Sequence, residues 1–270
     1  MKVKLGVDIG GSTTKIVLTD QNKNILDTLQ VRAGDQKTSL YGAVGHILYE
    51  NSYTLEDVSE IILTGVGASA VEGDIHGIPT KRVKEFQAIG LGGMKLTGLS
   101  DILVMSMGTG TAFVRAGREI CHIGGSGVGG GTLMGLSHLL LDSSDIDYIV
   151  HSAEEGNLQN VDLTISDISN EEIPSLPSHA TAANFGKVKS IASKGDIALG
   201  LLNTIFQTAG MLAVFSCRDT DIKNVVVTGT LASFPQAKEI LGGVGALHNI
   251  NFIIPDDAIF ATAIGAAMTE

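Results

Sequence analysis

The chain has 270 residues, 44% of them hydrophobic and 17% charged, and a formal net charge of −11. This describes one large or two ordinary globular domains with ample core, and it excludes the basic patch that a nucleic acid or an anionic membrane surface requires. Cys121 and Cys217 are far apart in sequence and define neither a disulfide framework nor a clustered metal motif, which suits a reducing cytoplasm.

The opening residues read as a strand rather than a signal peptide and run into Asp8-Ile-Gly-Gly-Ser-Thr-Thr-Lys15, a Gly-bearing turn between two strands. Asp27 to Arg32 adds a strand. Thr38 to Glu50 reads as a helix with Leu40, Val44, Ile47 and Leu48 on one side, and Ser59 to Thr64 as a strand. Lys84 to Lys95 has a helical pattern that its glycines weaken. Leu103 to Ala116 repeats the strand–turn–strand pattern around Met107-Gly-Thr-Gly-Thr-Ala112. Aligned without gaps on Leu5 to Leu18, it sets Ser106 against Asp8 and Gly108 against Gly10. The echo implies two similar lobes facing a cleft, residues 1–100 and 101–270, each presenting one hairpin to a ligand.

Seven glycines then fall between Gly124 and Gly135, and a helix is expected from Thr132 to about Leu141. The acidic stretch 142–178, with Pro174 and Pro177, reads as an exposed insertion or subdomain. Ile197 to Cys217 carries no charged side chain and is long enough to cross a bilayer. Its Asn203, Thr204, Gln207 and Thr208, with no flanking basic cluster, favour a core or dimer-interface helix instead. Val225 to Thr228 is a buried-type strand ending at Gly229, a helix begins near Ser233, and Phe252 to Ile254 is a further strand. Asp256 or Asp257 is placed to cap an Ala-rich closing helix. Strands alternating with helices make the class α/β.

Glycine lets backbone approach a ligand closely, at an entropic cost in folding. Three segments bearing that cost point to a polyanion held by backbone N–H groups, most simply a nucleotide triphosphate. Asp8, at a strand end before Gly10, Gly11, Ser12 and Thr13, needs a cation beside such a ligand, and Mg²⁺ is the natural one; an Asx-type turn contact is the plainer alternative. Lys15 is placed to reach a terminal phosphate or to sit solvated on its strand. There is no Walker A sequence and no Rossmann spacing.

The twin hairpins resemble the phosphate clamps of the actin-like ATPase and sugar/acetate kinase superfamily, which implies two ribonuclease-H-like lobes around a nucleotide cleft. Lys84-Glu-Phe-Gln-Ala88, Met107-Gly-Thr-Gly-Thr111, Gly124-Gly-Ser-Gly-Val-Gly-Gly-Gly-Thr132, Asp162-Leu-Thr-Ile-Ser-Asp167 and Ala183-Asn-Phe-Gly-Lys187 follow the order found in type II pantothenate kinases, which the chain resembles from residue 3 to about 268. The resemblance implies ATP- and Mg²⁺-dependent phosphorylation of pantothenate, the first step of coenzyme A biosynthesis, by a cytoplasmic homodimer. It implies Glu85 as general base and Asp8 as the metal-side carboxylate. It implies phosphate contacts from Gly10, Gly11, Ser12, Thr13, Lys15, Gly108, Thr109, Gly110, Thr111, Gly129, Gly130 and Gly131. Gly229 and Thr230 are implied near the adenosine, and His122, Gly124 and Ser126 near the substrate. The family places an Arg where this chain has His122, and a His cannot reproduce a bidentate grip on a carboxylate. Two other readings are an ATPase activating a radical dehydratase, which needs paired cluster cysteines, and a nucleotide-binding sensor without turnover. A sugar kinase is disfavoured because no clustered Cys/His zinc motif occurs.

Overall fold

The computed structural model describes residues 2–32, 34–169, 171 and 177–269. The first lobe runs β1 (Val3–Ile9), β2 (Thr13–Asp20), β3 (Ile25–Arg32), α1 (Gln36–Glu50), β4 (Val58–Thr64), β5 (Thr80–Arg82) and α2 (Glu85–Thr97). The second begins with β6 (Ile102–Met107), β7 (Thr111–Ala116), β8 (Ile120–Ser126), α3 (Gly130–Leu141), α4 (Ile146–Glu154), β9 (Leu163–Thr164), α5 (Ile165–Ile168) and β10 (Thr181–Ala183). It continues with α6 (Lys194–Cys217), β11 (Asn224–Thr228), α7 (Pro235–His248), β12 (Asn251–Ile253) and α8 (Ala261–Met268).

Period-two alternation makes β1: Val3, Leu5, Val7 and Ile9 are buried on the α1 side with Leu40, Val44 and Ile47, leaving Gly6 and Asp8 on the other face. The expected helix starts two residues early, at Gln36, because Asp35 caps it by accepting from the Thr38 N–H at 2.7 Å. The two main sheets have strand orders β3-β2-β1-β4-β5 and β12-β11-β6-β7-β8. Reversed, the second order is the first, hairpin for hairpin and crossover for crossover. The ungapped alignment, however, holds only along the first strand of each hairpin. Ile9 pairs with Thr14, whereas Met107 pairs with Thr111, so the first turn is one residue longer. Asp8 therefore faces Lys15, and its counterpart Ser106 faces Ala112 rather than Phe113.

Two equivalent helices, α2 and α8, cross between the sheets. Ile89 of α2 packs with Ile102, Val104 and Val114 of the second sheet, while Ala88 packs with Ile62 and Ala266. The glycines that weaken the helical pattern are required by this crowding. A Cβ on Gly92 would lie 1.8 Å from Ala261 O, and one on Gly265 would lie 1.8 Å from Ala88 O. Asp257 caps no helix through its side chain: a 3₁₀ turn, Ala258–Phe260, intervenes before α8.

The charge-free helix is a core helix. Leu201, Leu202, Ile205, Phe206 and Ala213 join Leu103, Met105, Ile149, Leu231 and Leu241 in one buried cluster. It is apolar on several sides because its own chain covers it with α3, α4 and α7, which removes the motive for a partner along its length. The stretch read as an exposed insertion or subdomain is largely exposed but anchored to the core at a few positions; Pro174 lies outside the described residues. Ile149, Ala153 and Val161 are buried. Asp162, fully buried, accepts from Asn203 Nδ2 at 2.7 Å, the Phe185 N–H at 2.9 Å, and Thr181 Oγ1 and Asn184 Nδ2 at 3.3 Å each, tying the β9–β10 ribbon to α6. Four donors around one carboxylate offset the cost of its burial.

Candidate active site

A cleft of about 1970 Å³ opens between the sheets at the ends of β1, β4, β6 and β11. Asp8, Gly10, Gly11, Ser12, Thr13, Lys15, Glu85, Gly108, Thr109, Gly110, Thr111, His122, Ser126, Gly130, Gly131, Gly229 and Thr230 all line it. Gly124 and Gly129 do not, although neighbouring residues do.

The two turns present backbone donors. Gly10 N–H closes its turn onto Thr13 O at 3.0 Å, and Gly108 N–H closes onto Gly110 O at 2.9 Å. Among the described residues, the N–H groups of Gly11, Ser12, Thr109 and Gly110 have no protein acceptor, so each turn keeps a pair for an anion. The glycine run works differently from the sequence expectation. Gly130 N–H donates to Gly108 O and Gly131 N–H to Thr109 O, both at 2.8 Å, and Gly129 N–H donates to Thr132 Oγ1 at 3.3 Å. These three amides are therefore engaged within the protein. The run is glycine because a Cβ at Gly129 or Gly130 would stand within 3 Å of the turn's backbone. It buttresses the second turn.

Asp8 is half-buried on the cleft floor, and burial raises its carboxyl to about 6; Lys15 pulls it down and Glu85 adds to the rise. Burial lowers Lys15, with Asp8 opposing, and burial raises Glu85. Both carboxyls are thus depleted of water, the condition in which a carboxylate becomes a stronger base or seeks a cation. Glu85 opens α2, and the next residue, Phe86, stacks on His122 with ring centroids 3.7 Å apart and planes 4° from parallel. Arg115 does not substitute for a guanidinium beside His122. It lies one strand over on the opposite face of the sheet, near enough to Cys217 to oppose the rise that burial gives that thiol.

Sequence reasoning missed a second repeat that shapes the site. Thr64-Gly-Val-Gly-Ala-Ser69 and Thr228-Gly-Thr-Leu-Ala-Ser233 follow β4 and β11. Gly65 and Gly229 have φ of 86° and 88°, open to glycine with little strain. A Cβ on Gly65 would lie 2.4 Å from Asp8 Oδ1, and one on Gly229 would lie 2.6 Å from Met107 O. The shared Thr-Gly-x-x-Ala-Ser spacing was the signal available to find it.

The activator of the 2-hydroxyisocaproyl-CoA dehydratase from Clostridium difficile, with bound ADPNP, has a TM-score of 0.71 at 15% identity, covering 98% of this chain and 92% of that one. A ROK family glucokinase from Streptomyces griseus, in complex with glucose and AMPPNP, has a TM-score of 0.63 at 12% identity and covers 98% of each chain. These likenesses establish the two-lobed fold. In sequence, the chain is 28% identical over 278 residues to a type II pantothenate kinase of Staphylococcus haemolyticus (strain JCSC1435), covering 98% of both. It is 26% identical over 284 residues to that of Staphylococcus aureus (strain USA300), covering 99% of this chain and 100% of that protein. The model of the Fumble family matches residues 94–239, more than half the chain, including the second turn, its glycine buttress, α6 and the Thr228-Gly229 repeat. By that match the chain belongs to the Fumble family.

Proposed function

We propose that the protein is an ATP-dependent kinase that phosphorylates the primary alcohol of pantothenate to 4′-phosphopantothenate. The observation that carries this reading is the facing of two turns, each with unengaged backbone N–H groups, across a cleft that also holds Asp8 and Glu85, in a chain related over its full length to type II pantothenate kinases. Gly11, Ser12, Thr109 and Gly110 hold the phosphates by their amides, and Lys15 supplies a cation. Gly229 and Thr230 border the nucleoside. Glu85 takes the proton of the acceptor hydroxyl as that oxygen bonds to the γ-phosphorus and the bond to the ADP oxygen breaks.

Asp8 fits a role beside Mg²⁺. Among the described residues its carboxylate has neither a donor nor an ion-pair partner, and no group of three or more His, Cys, Asp or Glu residues gathers there. A single carboxylate with water and phosphate oxygens is the ligand set that Mg²⁺ accepts when it arrives with a nucleotide. Bound there, Mg²⁺ neutralises phosphate charge. His122, on its Phe86 platform, and Ser126 line the acceptor end; Gly124 acts through the β7–β8 pairing that places them. Residues 1–100 and 101–270 act as the two lobes, with α8 packed across onto the first sheet.

The chain works in the cytoplasm as a homodimer, through the exposed Leu136, Leu139 and Leu140 face of α3 rather than the body of α6. Light scattering that shows a monomer at micromolar concentration overturns the dimer. Cys121 is exposed and Cys217 buried, an arrangement without the paired cysteines of a shared cluster. The test of function is ³¹P NMR of protein, ATP, Mg²⁺ and pantothenate: a phosphomonoester signal is expected, and its absence with ATP bound overturns the reading.

A further inference from the structure

Lys15 and Asp8 lie opposite each other in the β1–β2 register. An ammonium beside a carboxylate in a partly dry cleft ordinarily closes into an ion pair. No such pair forms among the described residues. The Lys15 ammonium instead donates to Thr230 Oγ1 at 3.1 Å, a contact from the first lobe to the second. Lys15 is only 6% exposed, so its stem is packed and the ammonium has few alternatives. The Thr230 side is fixed as well, because Gly229 turns the chain at φ 88° against Met107. At the matched position of the first lobe stands Val66, which has no hydroxyl and is exposed.

We propose that Thr230 is a positioning residue for the phosphate site. Its hydroxyl draws the Lys15 ammonium across the cleft and keeps it off Asp8. One of the three ammonium protons is held by Thr230, and the other two stay available to phosphate oxygens. The Asp8 carboxylate stays unpaired for the cation that accompanies a nucleotide. Without the hydroxyl, Lys15 falls back on Asp8, and each group quenches the other. The inference rests on the nucleotide part of the proposed function; the acceptor plays no part in it, so a failure of the pantothenate reading leaves it standing.

The experiment is equilibrium binding of a fluorescent ATP analogue to the full chain, titrated with Mg²⁺ and with no acceptor present. Thr230→Val is expected to weaken Mg²⁺-dependent binding about tenfold and to shift the Mg²⁺ midpoint upward, while Thr230→Ser stays within about twofold of wild type. In Lys15→Met, the further change Thr230→Val is expected to add nothing, because the two act as one unit. Unfolding midpoints are recorded for every variant, and Thr230→Ala replaces the Val variant if that one does not fold. A Val or Ala variant with unchanged affinity and Mg²⁺ midpoint overturns the proposal. So does an additive effect in the Lys15→Met background, or a Ser variant as weak as Val.

Discussion

The two lobes share a backbone and differ in chemistry. Each pairs a hairpin with a parallel strand that ends in Thr-Gly, and each follows that glycine with a 3₁₀ turn. Even the small bonds match: Ser69 Oγ donates to Val66 O, and Ser233 Oγ donates to Thr230 O. Ala68 N–H and Ala232 N–H return to Gly65 O and Gly229 O, each at 3.1 Å. Thr64 and Thr228 are both fully buried, and among the described residues their hydroxyls have no partner. Yet Asp8 and Lys15 on one side correspond to Ser106 and Ala112 on the other. Glycines and hydrogen-bond geometry set the shape of a phosphate turn, whereas the charged pair beside a turn, Asp8 and Lys15, comes from the first lobe.

The sharpest test of that asymmetry is Glu85→Gln. It should leave ATP affinity nearly unchanged and lower turnover by about 10²–10⁴-fold, the usual range for loss of a general base; steady-state ADP release with pantothenate measures it. Near-normal turnover would move the base elsewhere.

The next effect tests the shared geometry. Gly65→Ala and Gly229→Ala each force a side chain into a positive-φ, extended backbone that only glycine adopts readily, at about 1–3 kcal/mol, before the overlaps with Asp8, Ile9 and Met107 are counted. Both should lower the denaturant midpoint. Gly65→Ala should cost more, because its Cβ meets Asp8 Oδ1 at 2.4 Å in addition to the Ile9 carbonyl at 2.6 Å, the counterpart of Met107 O. Both should also disturb Mg²⁺-dependent nucleotide binding, Gly65→Ala through Asp8 and Gly229→Ala through Thr230.

A smaller effect separates the charged lobe by pH. The Asp8 carboxyl is raised from 3.8 to about 6, first by burial. The folded state therefore holds more protons than the unfolded state across that window, and this group's contribution to stability falls as pH rises through it. Asp8→Asn removes the penalty. Its melting temperature should gain on wild type as pH climbs from about 4 to about 6, with a constant gap above pH 7. A gap independent of pH would show that water reaches Asp8 freely.

The smallest effect is expected at Val66→Thr, which restores sequence symmetry with Thr230. Val66 is 67% exposed, so stability should change by less than about 0.5 kcal/mol, and nucleotide binding should not change. A gain in affinity would mean that the first lobe also uses this position.

Much of this was legible in the chain because local signals agreed with the fold. Alternation from Val3 to Ile9 and the two Gly/Thr turns identified the hairpins; Asp8 stood out before its Gly-Gly turn, Glu85 only through the family resemblance, and both line the cleft. What stayed hidden depends on distant contacts. Ile120 to Ser126 is a strand despite three small residues at its end, since β7 supplies the pairing that glycine's weak strand preference does not. Asp162 read as part of an acidic, exposed stretch, whereas its partners Thr181, Asn184, Phe185 and Asn203 come from three later segments. The one-residue difference between the turns shows only in strand register, so Lys15 was aligned with the wrong residue.

The crossing of α8 onto the first sheet also sets an order of assembly. A Cβ on Gly6 of β1 would meet Ala263 O at 2.1 Å, and Val17 packs with Ala263 and Ile264. Apart from the contact of Ala88 in α2 with Ile62, that face of the first lobe has no cover until the last helix of the second lobe has been synthesised. The early half of the chain therefore emerges from the ribosome with an apolar face bare, a state that favours chaperone capture or waiting over independent folding. Removing α8 should expose the oldest part of the molecule rather than trim its newest.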